Sequence, residues 1–188
     1  DEPFGNSTAV LTYLLSQFAR EHVAVALSGT GGDEAFLGYP RYLGVTQGQL
    51  YERIPQILRS QVIERLGGRL PERVGGNFPM DRLAKRLNRF ISGMKLPPDQ
   101  RYVSWLTYFG QDERACLTSH PISELPESAL SDLFGRHGDR SEIDRAFYTD
   151  IKSFLPSNQL EYMDKMSMAC SLEARVPFCD HKLLELSA

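Results

Sequence analysis

The sequence predicts an α/β fold dominated by helices, with few strands. Three observations carry this expectation. One apolar run with valines, His22 to Leu27, breaks abruptly into a glycine-rich loop, and helix-forming residues follow, which makes a strand–loop–helix unit. Apolar residues elsewhere recur at three- and four-residue spacing, the period of an amphipathic helix. The chain has 188 residues, 41% hydrophobic and 24% charged, the make-up of a soluble globular protein with one core of ordinary size.

The elements follow in order. Asn6 or Ser7 can cap a first helix, in which Val10, Leu11, Leu14, Leu15 and Phe18 form the apolar stripe. His22 to Leu27 suits a buried strand, Ser28 to Glu34 is its loop, and the next helix is expected from Ala35. Ile54, Ile57, Leu58 and Ile63 mark an amphipathic helix, with Pro55 tolerated in its first turn. The stretch Arg65 to Phe78 carries Gly67, Gly68, Pro71, Gly75 and Gly76 and reads as a loop.

Leu83, Leu87, Phe90, Ile91 and Met94 predict a helix whose outer face is basic (Arg82, Lys85, Arg86, Arg89), and that face reads as solvated surface. Pro97-Pro98 ends it. Asp99 is the expected cap of the next helix, with Tyr102, Val103, Leu106 and Phe109 inward. Ser119 to Arg140 reads as loop-rich, with a helical turn or two at Ala129 to Phe134. A helix from about Ser141 turns Ile143, Phe147, Ile151 and Phe154 inward, and Pro156 is expected to break it. Ser157 or Asn158 then caps a helix through Leu160, Met163 and Met166 or Ser167, and Asp180 caps a last one from His181. No internal repeat or low-complexity tract is evident.

Composition limits the function. A formal charge of −3 gives no hint of nucleic-acid binding, which would favour a strongly basic balance. No apolar run is long enough to cross a membrane, and no secretory signal opens the chain. Cys116, Cys170 and Cys179 are widely spaced and odd in number, so neither zinc nor a disulfide framework is expected. Reduced thiols and a cytoplasmic location are the simplest reading. The four histidines, His22, His120, His137 and His181, are scattered and form no ligand set, and Met163, Met166 and Met168 read as packing. The chain starts at Asp1 without a methionine and stops inside an expected helix, so a piece of a larger protein is expected.

The chemistry concentrates in two segments. The first is Val25-Ala26-Leu27-Ser28-Gly29-Thr30-Gly31-Gly32-Asp33-Glu34-Ala35-Phe36-Leu37-Gly38-Tyr39. Glycines let the backbone turn tightly and approach an anion, and the end of a buried strand is where α/β folds place ligands. Asp33, at the loop end, suits a magnesium ion, which prefers carboxylates together with substrate phosphates. Glu34 is read as structural, because an acid in a first helical turn complements the helix dipole. The second segment runs from Tyr162 through Lys165, Ser167, Cys170, Glu173, Arg175, Pro177 and Phe178 to His181. By itself Lys165 reads as a solvated partner of Glu161 one turn away. Glu173 and Arg175 suit a buried ion pair that locks the segment.

In this order and separation, the two segments resemble the synthetase domain of glutamine-dependent asparagine synthetases. That family reads LSG-acid-G-G/S-D-E-x-F-x-G-Y in the first place and K-x-S-M-A-x-x-x-E-x-R-x-P-F-L-D in the second. The likeness covers nearly the whole chain, and it implies a domain of the adenine-nucleotide α-hydrolase-like (PP-loop ATP pyrophosphatase) type. It implies that ATP adenylates aspartate to β-aspartyl-AMP, and that glutamine-derived ammonia then gives asparagine. Ser28, Gly29, Gly31 and Gly32 would contact the nucleotide, Asp33 would meet magnesium and pyrophosphate, and Lys165 would reach the phosphates. The family's upstream SGGxDS loop and its glutaminase domain match nothing here. The expectation is therefore a partial domain over residues 1–188, inactive in the full reaction by itself. Its incomplete sheet leaves an exposed edge for a possible homodimer.

Two positions depart from the family. Thr30 stands where many members have an acid linked to forming or capturing the adenylate, and threonine cannot act as a general base. Cys179 stands where leucine is common, a tolerable apolar swap. The motifs do not name the acid, so an enzyme adenylating another carboxylic acid, of β-lactam-synthetase or amidotransferase type, stays open beside aspartate. Gly31 to Phe36 also resembles the GGDEF signature of diguanylate cyclases. Ala35 interrupts that signature, and the chain lacks the cyclases' alternating strands. A non-catalytic helical module would leave the paired segments unexplained.

Overall fold

The structure, a computed structural model, describes residues 4–59, 79–118 and 126–187. In chain order the elements are α1 (Thr8–Arg20), β1 (Val25–Leu27), α2 (Gly32–Ala35), α3 (Pro40–Glu52), α4 (Gln56–Leu58), α5 (Pro79–Gly93), α6 (Pro98–Leu106) and α7 (Gln111–Leu117). There follow α8 (Pro126–Gly135), α9 (Glu142–Lys152), a π-helical segment (Leu155–Leu160), α10 (Glu161–Ala169), β2 (Glu173–Arg175), a 3-10 turn (Pro177–Cys179) and α11 (His181–Ser187). The expected helix-rich α/β class is thus observed. Two compact units divide the chain: Asp1–Tyr39 with Asp144–Ala188, and Pro40–Ile143.

In the first unit, α1 packs against α10 and the two strands form a parallel pair. The register sets Val25 opposite Glu173, Ala26 opposite Ala174 and Leu27 opposite Arg175. Asn6 rather than Ser7 supplies the side-chain cap of α1, accepting the Thr8 N–H at 3.0 Å. Its amide also donates to Asn158 at 2.8 Å, which pins the start of α1 to the π-helical segment. The apolar stripe of α1 is not inward. Val10, Leu11, Leu14, Leu15 and Phe18 are each more than half exposed, whereas Ala9, Thr12 and Ser16 are buried. Small residues let a helix approach its neighbour closely, so periodicity identified the helix but not the face it turns to α10.

The strand is shorter than expected, beginning at Val25 after a turn over Glu21 and His22, and its Val25 and Leu27 are exposed rather than buried. The helix expected from Ala35 is displaced: α2 ends at Ala35, and the next helix begins at Pro40. The α9 helix does end ahead of Pro156, at Lys152, but the proline does not end helical backbone. It sits in the first turn of the π-helical segment, where its missing N–H is not needed, and the backbone runs on into α10. The cap at Asp180 is observed, its Oδ1 accepting from the Lys182 N–H at 2.9 Å.

The second unit is helical. Its buried apolar residues are Tyr42, Val45, Tyr51, Ile91, Met94, Tyr102, Val103 and Phe134. Tyr102 stacks on Phe134 and Phe90 on Trp105, with ring centres 5.3 and 6.0 Å apart. Arg101 is buried in α6 and pairs with Glu52 and Glu142. Of the expected basic face of α5, Lys85, Arg86 and Arg89 are exposed. Arg89 still donates to the carbonyls of Trp105 and Thr107 at 2.8 and 2.9 Å, closing the carboxyl end of α6.

Several boundaries differ from expectation. Asp99 lies in the first turn of α6 after the cap Pro97 and accepts a hydrogen bond from Ser131. Phe109 lies beyond that helix and is exposed. The Ser119–Arg140 stretch holds the ten-residue α8, and α7 was not expected at all. The expected loop at Arg65 to Phe78, with Ile63 before it, lies outside the described residues.

Candidate functional site

The glycine-rich loop leaves the end of β1 and closes onto the turn that follows β2. The Ser28 N–H donates to the Arg175 carbonyl at 2.8 Å, so the strand ladder continues one residue into the loop. The Ser28 hydroxyl lies 2.9 Å from that of Thr30 and accepts the Thr30 N–H at 3.2 Å. These bonds fix the loop's first turn and place two hydroxyls side by side. Gly31 then takes φ +93°, a conformation in which a side chain is strained, and caps α2. A Cβ there would stand 2.6 Å from Cys179 Sγ. One at Gly32 would lie 3.5 Å from the Phe178 ring, and that ring meets Phe36 edge-on at 5.9 Å.

The two acids part company. Asp33 is exposed, and its carboxylate lies over Gly38, whose N–H donates to the Asp33 carbonyl at 2.8 Å. Glu34 is 1% exposed and accepts the Tyr39 hydroxyl at 2.7 Å, in keeping with its structural reading. Its negative charge reaches two neighbours. Burial first, and Glu34 second, raise the Cys179 thiol above its ordinary range, and the same two causes raise the Tyr162 phenol. The Tyr162 hydroxyl donates to Gln159 at 2.6 Å.

Lys165 takes the place its own spacing foretold. Its ammonium is 2.5 Å from Glu161, one turn back on α10, and 5.4 Å from the centre of the Phe4 ring. Ser28, Gly29, Thr30, Gly31, Gly32 and Asp33 are thus brought together in one loop, whereas the partners named for Lys165 lie on its own helix and near the amino end. Glu173 and Arg175 do form an ion pair, at 2.8 Å, but it is exposed rather than buried. Residues two apart share one face of a strand, and here that face is open. The sequence reading missed Phe178 and Cys179 as the floor of the loop, although both stand in the second motif.

For a metal, the donor set is informative. Among the described residues no group of three or more His, Cys, Asp or Glu is arranged to hold an ion. Asp33 by itself fits a magnesium ion that arrives with phosphate oxygens and keeps several waters. It does not fit a metal caged by protein alone. Among the described residues no helix is long and apolar enough to cross a membrane.

Comparison with known proteins gives a consistent result. The family model described as Asparagine synthase matches residues 1–188. The glutamine-hydrolyzing asparagine synthetase 1 of Bacillus subtilis (strain 168) is 29% identical over 189 residues, covering 100% of this chain and 28% of its own length. A putative glutamine-hydrolyzing asparagine synthetase of Mycobacterium bovis is 26% identical over 188 residues, 100% of this chain and 27% of its own. A third, from Methanocaldococcus jannaschii, is 41% identical over 71 residues, 38% of this chain and 13% of its own. No solved structure matches significantly. The chain therefore spans less than a third of the length of the curated relatives it matches.

Proposed function

This chain belongs to the asparagine synthase family, and from that premise we propose that it carries part of an ATP-dependent, amide-forming synthetase site. The observation that supports this most is the meeting of the two motifs. Strand β1 pairs with β2, and the loop after β1 rests on the 3-10 turn after β2. Segments far apart in sequence thereby build one loop at the end of a parallel pair, the position at which α/β sheets bind ligands. On this reading the domain is of the PP-loop ATP pyrophosphatase type, and residues 1–188 are a part of it.

In the proposed reaction an acid, aspartate in the first instance, attacks the α-phosphorus of ATP. An acyl-adenylate forms and pyrophosphate leaves, and ammonia derived from glutamine then displaces AMP. Ser28 and Thr30 offer hydroxyls, and Gly29, Gly31 and Gly32 offer close backbone approach, to the nucleotide. Asp33 would hold magnesium, which when bound neutralises charge on the departing pyrophosphate. Lys165 would donate to the phosphates after leaving Glu161. Thr30 can hydrogen-bond but cannot take a proton from the amine, so this loop does not itself supply a base there.

Acid-dependent ATP–pyrophosphate exchange by the full-length protein carrying this chain tests the reading. Exchange with aspartate is expected. Nucleotide binding with exchange only on another carboxylic acid would move the substrate to a related amidotransferase or β-lactam-synthetase type. Failure to bind nucleotide at all would remove the reading.

A further inference from the structure

We infer that Gly38 is a positioning residue for the Asp33 carboxylate, and through it for a divalent cation carried on nucleotide phosphates; this rests on the reading of Asp33 proposed above. The backbone conformation of Gly38 does not itself require glycine. Among the described glycines only Gly31 has a left-handed φ, so at Gly38 the requirement is one of space. A Cβ at Gly38 would overlap Asp33 Oδ1, and would stand 2.9 Å from its Cγ and 3.1 Å from its Cα.

The turn between the two residues holds them in this relation. The Phe36 N–H donates to the Gly32 carbonyl at 2.9 Å, and the Gly38 N–H reaches back to the Asp33 carbonyl at 2.8 Å. Leu37 between them takes φ +57°, a strained conformation for a branched residue. Strain retained beside an exposed carboxylate, with a bare Cα beneath that carboxylate, fits a turn shaped to present Asp33. A methyl group at residue 38 would drive the carboxylate off the turn while leaving Ser28 to Gly32 in place.

The test measures Mn2+ binding to the full-length protein in the presence of α,β-methylene-ATP, by electron paramagnetic resonance, and nucleotide binding in EDTA alongside. Gly38→Ala is expected to weaken Mn2+ binding about tenfold or more, in line with the cost of misplacing a group by about an ångström. Nucleotide binding in EDTA should not change. Asp33→Asn should weaken Mn2+ binding too, and the double variant should be no worse than Asp33→Asn, because both act through one carboxylate. Unchanged Mn2+ binding in Gly38→Ala beside a weakened Asp33→Asn overturns the inference and spares the functional reading. Equal losses with and without metal also overturn it, since Gly38 would then shape the loop generally. An Asp33→Asn variant that binds Mn2+ normally overturns the reading of Asp33 itself. Should Gly38→Ala not fold, Asp33→Ala/Gly38→Ala decides: recovered melting temperature supports crowding against residue 33, and no recovery refutes it.

Discussion

Packing of the half-buried Cys179 against Gly31 ties the floor of the loop to its most constrained residue: a Cβ at Gly31 would stand 2.6 Å from Cys179 Sγ. The thiol also lies 3.8 Å from the Thr30 carbonyl. The family position often filled by leucine thus holds a slimmer side chain here, and the loop rests directly on sulfur.

The first prediction concerns pH. Burial, and then the charge of Glu34, raise the Cys179 thiol above its ordinary value of 9.0. The folded state therefore holds this proton more tightly than the unfolded chain does. Its contribution to stability is full below the unfolded value, declines as pH rises above 9.0, and is lost once pH passes the raised native value. Urea unfolding from pH 8 upward should show this decline, and Cys179→Ala should flatten it. Tyr162, raised from 10.0 by the same causes, should leave a smaller slope in that variant. Glu34→Gln removes one of the two causes, so iodoacetamide should alkylate Cys179 at lower pH in it. An unshifted alkylation profile would show that the Glu34 charge does not reach the thiol.

The second prediction separates two glycines of one loop. Gly31→Ala meets both the left-handed φ and Cys179, and should cost about 2 kcal/mol or more. Cys179→Ala should return part of that loss and leave the part due to φ. At Gly29 nothing lies within 4 Å of an added Cβ and φ is ordinary. Gly29→Ala should therefore change stability by about 0.5 kcal/mol or less. If the loop binds nucleotide as proposed, Gly29→Ala should still weaken that binding, because its methyl group would enter the ligand's space. Calorimetric melting and nucleotide titration on the same protein separate the two effects.

Much of this was legible in residues whose local chemistry settles their structure. The break after Leu27, the cap at Asp180, the salt bridge of Lys165 with Glu161 and the inward Tyr102 and Val103 each follow from neighbours within a turn or two. What sequence hid depends on distant partners. The face of α1 is chosen by α10, so Ala9, Thr12 and Ser16 are buried while the leucines stay exposed. Strand β2 has three residues, too few for the alternation of Glu173, Ala174 and Arg175 to announce it, and only its pairing with β1 makes it a strand. At the site, the loop residues were found by glycine content. Phe178 and Cys179 were visible only as motif letters, because their role is to be touched by Gly31 and Gly32. Gly38 likewise stands in the first motif, but its spatial relation to Asp33 has no signature in sequence.

The third prediction lies in the helical unit. Arg101 is 4% exposed and pairs with Glu52 and Glu142, whose side chains are 41% and 20% exposed. Replacing the cation by methionine leaves two carboxylates facing an apolar side chain, yet both retain some water. Arg101→Met should therefore cost about 2 kcal/mol, below the usual figure for a wholly buried pair. Arg101→Lys should recover little of it, since an ammonium lacks the planar fork that serves two carboxylates and the Leu96 carbonyl together. Urea midpoints of the two variants check this, and full recovery by lysine would show that charge alone matters.

The last prediction decides between the two readings of Lys165. As a partly exposed helix pair with Glu161, it contributes about 0.5 kcal/mol or less, and Lys165→Ala should melt nearly as the unaltered protein does. As a donor to the phosphates, its loss should lower acid-dependent ATP–pyrophosphate exchange by about a hundredfold or more, the scale found when one donor to developing charge is removed. Glu161→Gln sharpens the distinction. It frees the ammonium without deleting it, so exchange should persist if Lys165 must leave Glu161 to reach the nucleotide. A Lys165→Ala protein that exchanges normally would return the residue to its salt bridge, and the search for the cation facing the phosphates would move elsewhere in the full-length protein.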